Sequence, residues 1–154
     1  MKNVLLILST SRTSEEAIEF AVGAAKERGG TLVALYLLET GLAEEVFDRF
    51  SDVGFIGDRP STELSEAIMK EYRQRGYEEL GLVQVRAMEE GVEFDPIMEE
   101  GEVVSRALDI MEGREVALAV CVRRKQSTFA RYFSGSLTDE LKEKAPCEVV
   151  VIEE

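Results

Sequence analysis

The stretch NVLLILSTSRTSEEAIEFAVGAAKERGGTLVALYLL, residues 3–38, decides the fold. It starts with an apolar run, Asn3–Leu8, whose length and continuous hydrophobicity are typical of a strand buried on both faces of a parallel sheet. Thr13 and Glu16 then have the spacing of a capping box, in which each side chain satisfies a free amide at a helix start. A second apolar run, Thr31–Leu38, follows this predicted helix. The stretch therefore predicts a strand, a helix and a second strand, the repeating unit of a parallel sheet.

The same alternation of short apolar runs and amphipathic segments continues to the end of the sequence. A long helix is predicted from Ser61 to a cap at Gly91, on the apolar residues Leu64, Ile68, Tyr72, Leu80 and Val85. The other predicted elements are a short helix Glu39–Phe50, a loop Ser51–Ser61, a strand Val92–Met98, a helix Glu102–Glu112, a strand Glu115–Val122, a helix Ser134–Lys144 and a strand Glu148–Ile152. The expected fold class is α/β: an open five-stranded, mainly parallel sheet with helices on both faces (Rossmann-like), in a single domain over residues 1–154.

Composition argues against several classes of function. The formal net charge is -13, from 31 acidic and 18 basic residues. Such a surface repels phosphate, so neither nucleic acid nor an anionic membrane is an expected partner. The chain has no histidine, the usual general base and zinc ligand near neutral pH. We therefore expect no hydrolytic enzyme and no metal site.

The sequence leads us to expect no export signal. The first apolar run is shorter than the core of a signal peptide and far shorter than a membrane-spanning helix. There are only two cysteines, Cys121 and Cys147, which form no disulfide framework and suit a reducing compartment. The expected localisation is cytoplasmic.

Ligands of such sheets bind beyond the carboxyl ends of the strands, where the strand order reverses. Two loops are candidates: STSRTSEE, residues 9–16, and VRRKQSTFARYFSGSLTDELKEKAPC, residues 122–147. The second loop collects the cationic residues Arg123, Arg124, Lys125 and Arg131 in an otherwise acidic chain. Two interpretations stay open: an anion-binding loop, or a solvated loop whose charges face neighbouring acidic helices.

The chain resembles the universal stress protein family over nearly its whole length. The resemblance rests on the strand ALAVCV, residues 117–122, and most specifically on the terminal block GSLTDELKEKAPCEVVVI, residues 135–152. ATP-binding members of that family carry a glycine, two residues, a second glycine, nine residues, and then Gly-Ser or Gly-Thr. The first two glycine positions fall on Val122 and Lys125 here, and the family's aspartate at the end of the first strand falls on Ser9. Only Gly135-Ser136 of the motif remains.

The resemblance implies a nucleotide or anion pocket at these positions, for ATP or AMP with Mg²⁺. Its residues would be Ser9, Leu37, Val122, Arg123, Arg124, Lys125, Gly135, Ser136 and Leu137. Valine adds bulk where glycine admits the ligand, whereas the ammonium of Lys125 can attract phosphate. Serine in place of aspartate removes a charged hydrogen-bond acceptor for the nucleoside. A helix start explains Gly135-Ser136 as well as phosphate binding does.

The leading interpretation is a cytoplasmic regulatory protein of the stress response that is not an enzyme and binds ATP weakly or not at all. A second is an ATP- or AMP-binding member, able to hydrolyse ATP slowly, that holds phosphates with Gly135-Ser136 and Arg123–Lys125. A third is a purely structural module that contacts an unknown protein partner through Ser51–Ser61 or a dimer surface. The resemblance also implies a homodimer through the final strand, residues 148–152, whose apolar sheet edge invites pairing.

Overall fold

The computed structural model describes residues 1–10, 12–39, 62–123 and 138–153. The strands are β1 (Asn3–Ser9), β2 (Leu32–Glu39), β3 (Phe94–Gly101), β4 (Val116–Arg123) and β5 (Glu148–Glu153). The helices are α1 (Glu15–Arg28), α2 (Thr62–Glu89), α3 (Val103–Gly113) and α4, residues 138–144. The predicted loop 51–61, the first residues of the helix predicted from Ser134, and all but the first residue of the helix predicted over 39–50 lie outside the described residues.

Helix α1 begins one residue later than the sequence predicts. The N-cap is Ser14, not Thr13: its backbone is extended, and its Oγ accepts a hydrogen bond from the amide of Ala17 at 3.2 Å. Both residues carry a hydroxyl suited to capping, so the sequence pattern does not separate them. The other end is as predicted, because Gly29 closes the helix in the left-handed region at φ 64°.

Strand β3 also begins later than predicted, at Phe94 rather than Val92. The amide of Val92 donates to the carbonyl of Ala87 at 2.8 Å, and Gly91 has a φ of 70°. These residues thus complete the C-terminal cap of α2, as the predicted cap at Gly91 requires. Val92 is buried as part of that cap, and the strand starts only after it.

The five strands form one sheet in the order β3-β2-β1-β4-β5, and every pair of neighbours is parallel. Strand β5 lies at one edge, as predicted, and β3 lies at the other. Residues Val4, Leu6 and Leu8 pack with α1 and α2 on one face, whereas Leu5 and Ile7 pack with α3 and α4 on the other. The predicted α/β fold with helices on both faces is confirmed. None of the helices among the described residues is long and apolar enough to cross a membrane.

Helix α2 departs from a simple amphipathic pattern. Leu80, Val83 and Ala87 are buried against the sheet, but Leu64 and Val85, two of the apolar residues that predict the helix, are exposed. The helix therefore presents apolar side chains to the solvent as well as to the core.

Candidate functional site

The candidate site lies between the carboxyl ends of β1 and β4, which we call the β1/β4 crevice. In the sheet β1 has β2 as its neighbour on one side and β4 on the other. The strand order therefore reverses at β1. Open α/β sheets bind their ligands at such a reversal. Ser9 ends β1 and Arg123 ends β4, so both loops that the sequence selects start from the two strands that border the crevice.

A tight turn closes the end of β1. The backbones of Ser9 and Arg12 exchange two hydrogen bonds, at 3.0 and 3.2 Å, and form an isolated antiparallel bridge. The Arg12 guanidinium then donates from Nη1 to the carbonyl of Val122 at 3.1 Å. This bond connects the loop after β1, across the crevice, to the penultimate residue of β4.

Ser9 is fully buried, and its hydroxyl has no hydrogen-bond partner among the described residues. Leaving a buried hydroxyl unpaired costs about 1–3 kcal/mol. The cavity beside it has a volume of about 10 Å³. A space of that size holds about one water molecule, whereas small-molecule sites are typically larger than about 300 Å³. The described side chains around Ser9 are thus closely packed.

Arg123 contacts a hydroxyl and two carboxylates at the end of β4. It donates from Nη2 to Thr138 Oγ1 at 2.8 Å, and it lies 3.8 Å from an Asp139 carboxylate oxygen and 3.4 Å from one of Glu153. Its side chain is only 29% exposed. For this residue the arrangement favours the second interpretation of the basic loop, charges that face neighbouring acidic residues.

Cys121 lines the same cavity, on β4. Burial raises the pKa of its thiol to about 11, and the nearby cations Arg12, Lys142 and Arg123 oppose that shift only in part. Cys147, before β5, also has its pKa raised by burial. Both are free cysteines. At neutral pH each is a protonated thiol, which is a poor nucleophile.

The structure brings four of the predicted site residues together at the carboxyl ends of the strands: Ser9, Leu37, Val122 and Arg123. Leu37 pairs with Ser9 across β1 and β2 and is fully buried. Val122 is 1% exposed and packs in the core under α1, so most of its bulk is taken up by core packing. The other predicted residues, Arg124, Lys125, Gly135, Ser136 and Leu137, lie outside the described residues.

Two residues of the crevice were not singled out from the sequence, Arg12 and Thr138. Arg12 is the one cation of the loop STSRTSEE, three residues after the end of β1. A single cation beyond the carboxyl end of a strand is a sequence feature that could have indicated a site residue. Thr138 is 1% exposed and receives the Arg123 hydrogen bond. Its role depends on how α4 packs, which the sequence pattern does not specify.

Comparison with known proteins gives a consistent result. Residues 1–153 match the model described as the universal stress protein family. No curated protein matches the sequence significantly. Similar solved structures include a universal stress protein family member from Burkholderia pseudomallei, with 21% identity, a TM-score of 0.68, and 98% of this chain and 95% of that chain covered.

Two other similar structures contain a nucleotide. A universal stress protein from Archaeoglobus fulgidus in complex with dAMP has 18% identity and a TM-score of 0.57, with 99% of each chain covered. A family protein from Arabidopsis thaliana with AMP bound has 13% identity and a TM-score of 0.58, with 100% of this chain and 92% of that chain covered. At these identities the structural likeness shows the fold alone.

Proposed function

Because the chain belongs to the universal stress protein family, we propose that it is a cytosolic regulatory protein of the stress response that binds ATP weakly or not at all. It does not turn over a substrate. The crevice at the reversal of strand order remains as a structural feature of the fold, and its polar groups serve mainly to hold the loops together.

The observation that carries this proposal is the environment of Ser9. ATP-binding members of the family have an aspartate at this position, whereas here a small hydroxyl is fully buried beside a cavity of about 10 Å³. The Arg12 guanidinium, which lines that cavity, is bound to the carbonyl of Val122. A nucleotide would have to open this closed arrangement and would gain no carboxylate contact in return.

The chemistry of the crevice also supports a non-catalytic role. The chain has no histidine to act as a base, and the raised pKa of Cys121 keeps that thiol protonated. Among the described residues, no group of three or more Cys, Asp or Glu side chains is arranged to hold a metal ion. General acid–base catalysis works best with a group whose pKa lies near the working pH, and nucleophilic catalysis needs a nucleophile that is activated by a base, a lowered pKa or a metal.

A second candidate, an AMP- or ATP-binding protein, has a specific observation in its favour. The similar proteins from Archaeoglobus and Arabidopsis contain dAMP and AMP. In this alternative Gly135-Ser136 and Arg123–Lys125 hold the phosphates, with Mg²⁺ as a counterion. The ion pairs of Arg123 with Asp139 and Glu153 would then compete with phosphate for the same guanidinium.

We also propose that the protein is a homodimer that pairs through β5. This strand lies at the edge of the sheet, and its residues Val149–Ile152 are half-buried in the monomer. An apolar strand with a free edge is a ready template for pairing with a second chain.

Calorimetric titration with magnesium ATP, AMP and inorganic phosphate tests the nucleotide part of this proposal. We expect no measurable heat of binding at micromolar protein, because no described group replaces the missing carboxylate. Lys125→Ala should behave like the unmodified protein, and Lys70→Ala, an exposed lysine on α2, is the matched control. Micromolar ATP binding that is lost in Lys125→Ala alone would establish the second candidate instead.

A further inference from the structure

An open groove formed by described residues lies away from the β1/β4 crevice, between α1 and α2. This α1–α2 groove has a volume of about 540 Å³. Its lining combines the apolar residues Ile18, Leu82 and Val85 with the polar and charged residues Thr13, Ser14, Glu15, Glu19, Glu79 and Arg86. Nothing in the proposed nucleotide chemistry uses this surface.

The apolar wall of the groove belongs to the solvent-facing side of α2. Leu82 is 59% exposed, Val85 is 53% exposed, and Met88, one turn further, is 69% exposed. These three side chains recur at intervals of three residues, so they lie along one side of the helix. Single exposed apolar residues are ordinary, but a contiguous set beside a groove is typical of an interaction surface.

Besides its apolar wall, the groove has two carboxylates, Glu15 and Glu79, that have no cationic partner among the described residues. Neither Glu15 nor Glu79 forms an ion pair with a described residue, and the nearby Arg86 is already held by Glu19 and Glu89. Burial, and then the charge of Glu15, raise the pKa of Glu79. The folded chain thus holds two like charges next to exposed apolar surface, an arrangement that a cationic partner would relieve.

We propose that the α1–α2 groove docks a basic amphipathic helix of a partner protein. Apolar side chains of that helix pack on Leu82 and Val85, and its lysine or arginine side chains reach Glu15 and Glu79. From Glu79 to Met88 the surface extends about 14 Å along α2, which matches between two and three turns of a partner helix.

The charge of the groove favours a basic partner over a second copy at this surface. Two copies that docked through the groove would bring the carboxylates of Glu15 and Glu79 together, whereas the proposed dimer uses a different element, β5. A basic helix gains from the same charges, both in its rate of encounter and in its choice of orientation. This proposal stands independently of whether the β1/β4 crevice binds a nucleotide.

The test uses a fluorescently labelled synthetic peptide of roughly 18 residues, long enough to form a helix, with leucine at helical spacing and lysine elsewhere. Its binding to the full chain is followed by fluorescence anisotropy. Leu82→Ser with Val85→Ser should weaken binding roughly tenfold through lost apolar contact. Glu15→Gln with Glu79→Gln should weaken it roughly threefold to fivefold.

Two matched controls separate this groove from general attraction to an acidic protein. Leu64→Ser removes an exposed leucine of the same helix outside the groove, and Glu112→Gln with Glu143→Gln removes two distant carboxylates. Both should leave the affinity unchanged. The Glu15→Gln with Glu79→Gln variant should also melt at a higher temperature than the unmodified chain, because it removes the cost of burying the Glu79 charge and, second, the repulsion between the two carboxylates. A gain in stability together with a loss of binding identifies a surface kept for recognition.

Three results would overturn the proposal. The first is equal affinity of the peptide for the unmodified chain and both groove variants. The second is an equal loss of affinity in the groove variants and the control variants, which would indicate unspecific attraction. The third is a dimer of the unmodified chain, detected by light scattering, that does not bind the peptide and that is lost in the Leu82→Ser with Val85→Ser variant. That outcome would assign the groove to a second copy of the chain.

Discussion

Ser9→Asp is expected to raise the affinity of the protein for AMP and ATP by about 10- to 100-fold, the value of one hydrogen bond to a charged group. Ser9 is the position where ATP-binding members of the family carry aspartate, and its own hydroxyl has no partner among the described residues. A carboxylate there restores a strong acceptor for the nucleoside. The measurement is calorimetric titration of the variant with both nucleotides.

The same variant is expected to be less stable without a ligand. Position 9 is fully buried, so an ionised carboxylate loses its hydration there. We expect the free energy of unfolding to fall by about 1–3 kcal/mol, and added nucleotide to recover part of the loss. Ser9→Asn, similar in size but uncharged, is the control and should gain less affinity. A folded Ser9→Asp variant with unchanged affinity would show that the missing carboxylate does not limit nucleotide binding.

Replacing each of two glycines of α2 by alanine should change the free energy of unfolding in opposite directions. A Cβ at Gly76 would lie 2.5 Å from Cε of Met98 and 2.7 Å from Cδ1 of Tyr36, a ring that is 2% exposed. We expect Gly76→Ala to lower the free energy of unfolding by about 1–3 kcal/mol, because overpacking the contact of α2 with the sheet outweighs the gain in helix propensity. At Gly81 no heavy atom lies within 4 Å of the added Cβ. Gly81→Ala should therefore raise the free energy by about 0.5–1 kcal/mol.

Urea denaturation followed by circular dichroism measures both changes, and each variant is the control of the other, since both replace the same residue in the same helix. Destabilisation by Gly81→Ala, or stabilisation by Gly76→Ala, would contradict the packing of α2 described above. An unchanged dependence of the free energy on urea concentration would confirm that both variants unfold from the same compact state.

The sequence predicts the strands and helix α1 well because the residues that specify each element lie in or beside that element. Continuous apolar runs, a hydroxyl before Glu15-Glu16 and the pair Gly29-Gly30 all lie within the elements that they specify. Errors arise where neighbouring residues offer equivalent chemistry, as at the cap of α1, or where one residue has two possible roles. Val92 has the β-branched shape of a strand residue, but the cap of α2 uses its amide.

The candidate site is predicted less completely, because its contacts join residues far apart in sequence. Arg12 binds the carbonyl of Val122, and Arg123 pairs with Glu153 across β4 and β5. No periodicity reports such contacts, so the sequence alone leaves both interpretations of Arg123 open, an anion-binding residue or a charge that faces neighbouring acidic residues. Likewise, Val85 has the spacing of a core residue, and only the packing of α2 against the sheet reveals that it faces the solvent.

The nucleotide content of the protein as purified from cells tests the central claim most directly. The protein is denatured by heat, and the supernatant is analysed by anion-exchange chromatography against adenine nucleotide standards. A crevice closed around Ser9, with Arg12 bound across it, predicts no nucleotide or a substoichiometric trace. One adenine nucleotide per chain would contradict that claim and would make the crevice a functional nucleotide site.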